Sequence, residues 1–185
     1  MKKLITMATA LLLSVGAYAQ HEVGSVTIQP KVGMNIASVT DIPDAADPSS
    51  RVGFVAGAEA EYQFSEMFSL SGGLLYSMQG GKAMDETIKA DYLNVPIMVN
   101  CYVVKGLAVK LGIQPGFNIN AKWGDADLDD AKTFDFSIPV GLSYEFANIQ
   151  LDARYNWGLT KMVDWEDADS KNSVFQITLG YKFEL

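Results

Sequence analysis

The chain has 185 residues, with 22 acidic residues against 14 basic ones, and its formal net charge at pH 7 is −8. A surface with this excess of negative charge repels the phosphate groups of nucleic acids. The composition therefore excludes a nucleic-acid-binding protein. The single cysteine, Cys101, excludes an internal disulfide, and the single histidine, His21, leaves little material for acid–base chemistry.

The N-terminus has the pattern of an export signal. Two lysines precede an apolar stretch at residues 4–16, and residues 17–19 place alanine at both positions that a signal peptidase recognises. The apolar stretch is shorter than the about 20 residues of a membrane-spanning helix. We therefore predict a signal peptide over residues 1–19, cleaved before Gln20, and one mature domain over residues 20–185.

The mature chain alternates between apolar and polar residues in steps of two, which is the period of a β-strand. In the last segment the apolar row is Phe175, Ile177, Leu179, Tyr181, Phe183 and Leu185. No long segment has the period of a helix. The alternation predicts eight strands, at residues 25–39, 51–64, 68–80, 91–103, 107–120, 133–146, 149–161 and 172–185.

The predicted connections alternate in length. Those at 65–67, 104–106 and 147–148 are short, and those at 40–50, 81–90, 121–132 and 162–171 are long. Short turns at one end and long loops at the other are typical of bacterial outer-membrane barrels. The sequence therefore predicts an all-β fold, an eight-stranded antiparallel up-and-down transmembrane β-barrel with short periplasmic turns and long extracellular loops.

The two faces of these strands differ in a way that favours lipid outside. The apolar rows contain no charged residue, and a Lys or Arg at mid-bilayer costs about 2–4 kcal/mol. A soluble ligand-binding barrel would instead turn the apolar rows inward. The opposite face argues against a soluble barrel, because its many glycines suit a narrow lumen. On a face turned to water they would only weaken the strands. Those glycines are Gly33, Gly53, Gly57, Gly73, Gly112, Gly116, Gly141, Gly158 and Gly180.

Aromatic residues and prolines add two expectations. Aromatic side chains concentrate towards both ends of the strands, as in the two interfacial girdles of membrane barrels. Pro30, Pro96, Pro115 and Pro139 fall inside predicted strands, where each forfeits a ladder hydrogen bond. We expect a bulge or a strand boundary at each proline.

Several stretches also resemble a known family. They are Lys31-Val-Gly-Met-Asn35, Gly53-Phe with Ala56-Gly, Leu74-Leu-Tyr-Ser-Met-Gln-Gly80, Asp91-Tyr-Leu-Asn-Val-Pro96 and Leu179-Gly-Tyr-Lys-Phe183. In order and spacing they are similar to the outer-membrane β-barrel family widespread in Bacteroidetes, called porin family or outer membrane protein β-barrel domain. The resemblance implies an OmpA/OmpX-like barrel in the outer membrane of a Gram-negative cell. It implies no catalytic residues and no cofactor.

The same resemblance implies that the barrel-assembly machinery reads the aromatic C-terminal strand. Here Phe183 is followed by Glu184 and Leu185 instead of ending the chain. Outer membrane lipid and lipopolysaccharide are the other expected partners, and the partner of the extracellular loops is left open.

The inward face carries charged residues that must pair when buried. They are Lys31, Glu59, Glu61, Lys110, Asp135, Glu145, Asp152, Arg154, Lys182 and Glu184. We expect a structural network of ion pairs that plugs the lumen; the alternative is a narrow path for water or ions. The excess of acids predicts a weak cation preference if the lumen conducts.

Two predicted loops are acidic, and their alternate carboxylates could bind Ca²⁺ or Mg²⁺ that bridges to lipopolysaccharide phosphates. The candidate ligands are Asp125, Asp127, Asp129, Asp164, Glu166 and Asp167. The glycine and terminal glutamate of an EF-hand loop are missing, so solvated anionic loop tips are the other interpretation. Trp123 and Trp165 either rest on the barrel rim or anchor a partner.

The sequence thus predicts an integral outer membrane protein with a structural or surface-interaction role and a plugged lumen. The alternative is a small porin-like diffusion channel. We expect no enzyme, because outer-membrane barrels that modify lipid A or cleave proteins depend on histidine, and no G-x-S-x-G motif is present.

Overall fold

The computed structural model describes residues 21–40, 49–83, 86–123, 126–127, 133–161 and 171–185. Nearly all of them lie in strands joined into one antiparallel sheet. The strands are β1 (Val26–Thr40), β2 (Ser49–Gln63), β3 (Phe68–Ala83), β4 (Glu86–Asn94), β5 (Ile97–Val104), β6 (Leu107–Trp123), β7 (Ala126–Asp127), β8 (Phe134–Phe146), β9 (Ile149–Lys161), β10 (Lys171–Tyr181) and β11 (Phe183–Glu184). Among the described residues no helix is long and apolar enough to cross a membrane.

The sheet closes on itself, and the eight-stranded antiparallel barrel is confirmed. β4 and β5 share one position between β3 and β6, and β10 and β11 share another beside β1. The short β7 only extends the β6 edge. Following register partners once round the barrel from Val26 leads back to β1 at Ile36, ten residues further along. The strands of a closed barrel are tilted relative to the barrel axis, and this stagger of the register accompanies that tilt.

The apolar rows face outward, as predicted. Val32 and Leu111 are more than half exposed, whereas Arg154 and Lys182 on the opposite face are at most 1% exposed. Ring pairs lie towards both ends of the strands: Phe64–Phe68 and Tyr181–Phe183 at the short-turn end, and Phe117–Phe134 at the other. An apolar belt between two aromatic girdles is a surface built for a bilayer, and the soluble alternative is wrong.

Replacing Leu111 with Arg tests this outward face. Leu111 lies on β6 between Leu107 at the short-turn end and Phe117 of the extracellular girdle, and it is 56% exposed, so the substitution should cost about 2–4 kcal/mol of unfolding free energy in lipid vesicles. Phe146→Arg is the matched control at the end of β8, where the cost should be about 0–1 kcal/mol. Equal costs at the two positions would contradict a lipid-facing row.

The structure corrects two of the four loop predictions at the extracellular end. The predicted loop at 81–90 is wrong, because β3 and β4 stay paired up to Ala83 and Glu86. Five residues of the predicted loop at 121–132 are strand as well, since β6 continues to Trp123 and pairs with β7, and the other seven lie outside the described residues. Most of the predicted loops at 40–50 and 162–171 lies outside the described residues.

The prolines interrupt the ladders without producing bulges. At Pro96 the strand boundary is confirmed, because β4 ends just before it and β5 begins just after. Pro30 and Pro139 each have a register partner on only one side, and Pro115 remains paired with β8. Bulges at these three positions are therefore wrong. A missing N–H is accommodated by a local gap in the ladder instead.

Inward glycines let neighbouring strands approach closely. A Cβ atom on Gly57 would lie 2.1 Å from the carbonyl oxygen of Leu74, and one on Gly112 would lie 2.1 Å from that of Ile97. Equivalent positions on Gly33, Gly73 and Gly141 lie 2.0–2.6 Å from a carbonyl oxygen of the adjacent strand. Glycine thus permits the sharp coiling of a small barrel, a role additional to the saving of lumen space that the sequence predicts.

Candidate functional site

A group of five charged side chains, here called the central cluster, fills the middle of the lumen. Its members are Lys31, Glu59, Lys110, Asp152 and Arg154, each at most 3% exposed. Arg154 bridges both carboxylates: its Nη1 lies 2.9 Å from Glu59 Oε1, and its Nε lies 2.8 Å from Asp152 Oδ1. Each lysine has its own acid, with Lys31 Nζ 2.6 Å from Glu59 Oε2 and Lys110 Nζ 2.7 Å from Asp152 Oδ2.

Glycines beside these long side chains make the central cluster possible. Gly141 lies between Lys110 and Arg154 in the register of β6, β8 and β9. With no side chain at Gly141, Lys110 reaches across β8 to Asp152 on β9. Glu59 likewise lies opposite Gly73 of β3. Large and small residues therefore alternate around the barrel at this level, which is how a narrow lumen is filled.

A second group, the periplasmic cluster, lies nearer the short-turn end. It consists of Glu61, Tyr102, Glu145 and Lys182. Lys182 Nζ lies 2.8 Å from Glu61 Oε2, 2.9 Å from Glu145 Oε2 and 3.1 Å from the Tyr102 hydroxyl. The Tyr102 hydroxyl donates to Glu61 Oε1 at 2.5 Å. Ser69 Oγ donates to the same oxygen at 2.6 Å.

His21 joins the periplasmic cluster from outside the strands. Its imidazole Nε2 lies 3.0 Å from Glu145 Oε1, and its side chain is only 7% exposed. The sequence places this histidine in an N-terminal tail, and nothing in its local pattern signals burial. The contact arises because the tail folds back over the barrel end, which is a tertiary feature.

Neutral polar side chains occupy the lumen on the extracellular side of the central cluster. Asn35 Nδ2 donates to Ser77 Oγ at 2.7 Å across β1 and β3. Five amide side chains in this part of the barrel are at most 3% exposed, namely Asn35, Asn94, Gln114, Asn156 and Gln176. Most of the buried charges are thus concentrated in the central and periplasmic clusters, and the packing on the extracellular side is mainly uncharged.

Eight of the ten predicted lumen residues lie in the two clusters, and two lie elsewhere. Asp135 is buried towards the extracellular end, where it accepts a hydrogen bond from Thr160 Oγ1 at 2.5 Å. Glu184 is exposed, because the last strand pair ends there at the barrel rim; its assignment to the lumen network is wrong. Ser69 and Tyr102 are two strand residues in contact with the Glu61 carboxylate that the sequence analysis missed. Both lie at inward positions of the period-two pattern, which is the signal that could have found them.

The two clusters are balanced in charge. Four bases, Lys31, Lys110, Arg154 and Lys182, pair with four acids, Glu59, Glu61, Glu145 and Asp152. The excess of acids among the ten predicted lumen residues comes from Asp135 and Glu184, which lie apart from the two clusters. The excess negative charge on which the predicted cation preference depends therefore lies outside the two clusters.

The acidic-loop candidates fall largely outside the described residues. Asp125, Asp129, Asp164, Glu166 and Asp167 are not described, and neither are Trp165 and the predicted signal peptide. Asp127 is described only as part of β7. Elsewhere in the described chain no group of three His, Cys, Asp or Glu side chains is placed to hold a metal ion.

Residues 18–164 match the family model described as outer membrane protein beta-barrel domain. The chain belongs to this family. The match covers the first seven barrel strands, and it confirms the family expected from the residue patterns. Outer membrane location follows from the family together with the apolar outer belt. No curated protein sequence matches the chain.

Solved barrels share the fold of this family member. Neisserial surface protein A (NspA) is 18% identical, with a TM-score of 0.56 over 85% of this chain and 97% of that chain. Ail, the attachment invasion locus protein of Yersinia pestis, is 16% identical, with a TM-score of 0.51 over 88% of this chain and 100% of that chain. At such identities the likeness shows the fold alone.

Proposed function

We propose that this outer-membrane barrel is a sealed scaffold, which anchors and presents its extracellular loops and does not pass solutes through its lumen. One observation carries the proposal: eight charged side chains pair four to four across the lumen in the two clusters. Because the contact between Arg154 and Glu59 joins β9 to β2, three strand positions apart, the network extends across the space that a pore would need.

Energetics support a closed lumen. Removing one partner of a buried ion pair leaves an uncompensated charge, which costs about 3–5 kcal/mol. A permeating ion would have to compete with several such pairs at once. Arg154, for example, contacts both Glu59 and Asp152. The network is therefore better suited to sealing than to conduction.

The described lumen offers little for catalysis. A triad or acid–base mechanism needs a nucleophile or a base held free for substrate. The carboxylates of the two clusters are engaged by Lys or Arg, and His21 is engaged by Glu145. We therefore propose a non-enzymatic role. Lipopolysaccharide, with divalent cations at the acidic loops, and the barrel-assembly machinery are the proposed partners.

Single-channel recording in planar bilayers tests the sealed lumen. We expect no stable open level for the wild-type protein. Replacing Glu59 and Arg154 together with Ala removes the central bridge across the lumen, and we expect this double variant to show openings. Replacing Asn35 and Ser77 with Ala removes a buried polar pair outside the clusters, and this matched control should stay silent.

Two results would count against the proposal. A stable open conductance of the wild-type protein would favour a small diffusion channel instead. A silent Glu59/Arg154 double variant that folds as well as the control would show that the central cluster is not the seal. Envelope permeability of a deletion strain gives the matching cellular measurement, and we expect it to be unchanged for small solutes.

A further inference from the structure

Residues 21–25 fold back across the short-turn end of the barrel. The Gly24 N–H donates to the Gln63 carbonyl at 2.7 Å, and the Gln63 N–H donates to the Ser25 carbonyl at 3.0 Å. The Ser25 N–H donates to the Glu22 carbonyl at 3.0 Å, which closes a tight turn. Gly24 adopts a φ of 95°, a conformation that favours glycine. The segment is thus tied to the end of β2 by backbone hydrogen bonds on both sides.

His21 then contacts a side chain that extends into the lumen from the opposite wall of the barrel. Its partner Glu145 belongs to β8, which lies four strand positions from β2 in either direction round the sheet. The segment is therefore fixed to β2 by its backbone and to a side chain of β8 by His21, so it extends over part of the mouth. The His21 side chain is buried although it is polar. Burying an imidazole costs free energy unless the ring is hydrogen-bonded, and here Glu145 provides the hydrogen bond.

We propose that residues 21–25 are a strap that closes the periplasmic mouth of the lumen, with His21 as its anchor on Glu145. The strap deepens the proposed sealed scaffold, on which it rests, by adding a second closure below the ion pairs. Glu145 links the two closures, because it binds the strap through Oε1 and Lys182 of the periplasmic cluster through Oε2.

Thiol labelling measures the strap directly, with Cys101→Ala as the background. Thr27→Cys places a thiol just inside the strap, on β1, where the native side chain is 2% exposed and its hydroxyl has no hydrogen-bond partner. The protein purified from outer membranes is treated with a charged methanethiosulfonate reagent. We expect His21→Ala to raise the labelling rate about tenfold, the factor for losing about 1.4 kcal/mol of closure.

Two controls separate opening of the strap from general loosening. Thr178→Cys lies beside Asp152 in the β9–β10 register, at the level of the central cluster, and its labelling rate should not change with His21→Ala. His21→Gln keeps an N–H donor for Glu145, so labelling of Thr27→Cys should stay near the wild-type rate. Labelling of Thr27→Cys at the same rate with and without the His21→Ala substitution would overturn the strap.

The outcomes also distinguish the strap from the sealed scaffold. If the wild-type protein conducts but His21→Ala still accelerates labelling of Thr27→Cys, the sealed scaffold fails and the strap stands as a cover of the mouth. If the wild-type protein is silent and labelling is unaffected by His21→Ala, the ion pairs alone seal the lumen and the strap is wrong.

Discussion

Replacing Glu59 with Gln should destabilise the barrel more than replacing Arg154 with Met, although Arg154 makes more hydrogen bonds. Without Glu59 the central cluster keeps three cations against the single carboxylate of Asp152. An uncompensated buried charge of this kind costs about 3–5 kcal/mol. Without Arg154 two neutral pairs remain, Lys31 with Glu59 and Lys110 with Asp152. The remaining cost is that of carboxylate oxygens left unsatisfied, about 1–3 kcal/mol.

Urea unfolding in detergent micelles, followed by tryptophan fluorescence, measures both variants. Glu66→Gln is the charge-matched control, because Glu66 is exposed in the short turn after β2 and its loss should change stability by no more than about 0.5 kcal/mol. A larger loss for Arg154→Met than for Glu59→Gln would show that hydrogen bonding, and not charge balance, dominates the central cluster.

The barrel strands were predictable because lipid acts on each outward residue independently. Every membrane-facing position must be apolar, so the period of two is visible without knowledge of any neighbour. The predicted strand at 149–161 coincides with β9, and the one at 133–146 differs from β8 by one residue. Where strands rise beyond the bilayer, this requirement ends while backbone pairing continues. That is why the paired ends of β3 and β4 were predicted as a loop.

The partners inside the lumen could not be predicted in the same way. Periodicity tells which face a residue occupies, but contacts across the lumen depend on the stagger that closes the sheet. Lys110 and Asp152 are two strands apart, and they meet because Gly141, the partner of Lys110 on the strand between them, has no side chain. His21 lies outside every strand, so no period could place it beside Glu145. The sequence therefore predicts which residues face the lumen, whereas the contacts between them depend on the three-dimensional arrangement of the strands.

The neighbouring glycines of β3, Gly72 and Gly73, should respond oppositely to the same substitution. A Cβ on Gly73 would lie 2.3 Å from the Ala58 carbonyl oxygen and 2.7 Å from Glu59 Cα. Backbone atoms cannot move aside without shifting β2, so Gly73→Ala should cost about 3 kcal/mol or more, the upper range for overpacking. It should also displace Glu59 and weaken the central cluster with it.

Gly72 is the matched control because it differs by one position and faces outward. The nearest atom to a Cβ there is the Pro96 carbonyl oxygen at 3.7 Å, an ordinary contact. Gly72→Ala should therefore be neutral or stabilise the barrel by about 0.4–1 kcal/mol, since alanine restricts the unfolded chain. Heat modifiability on SDS gels and urea unfolding would compare the two variants. Equal stabilities of the Gly72→Ala and Gly73→Ala variants would mean that β2 can move away from β3 without cost. That result would contradict a requirement for glycine where these two strands approach each other.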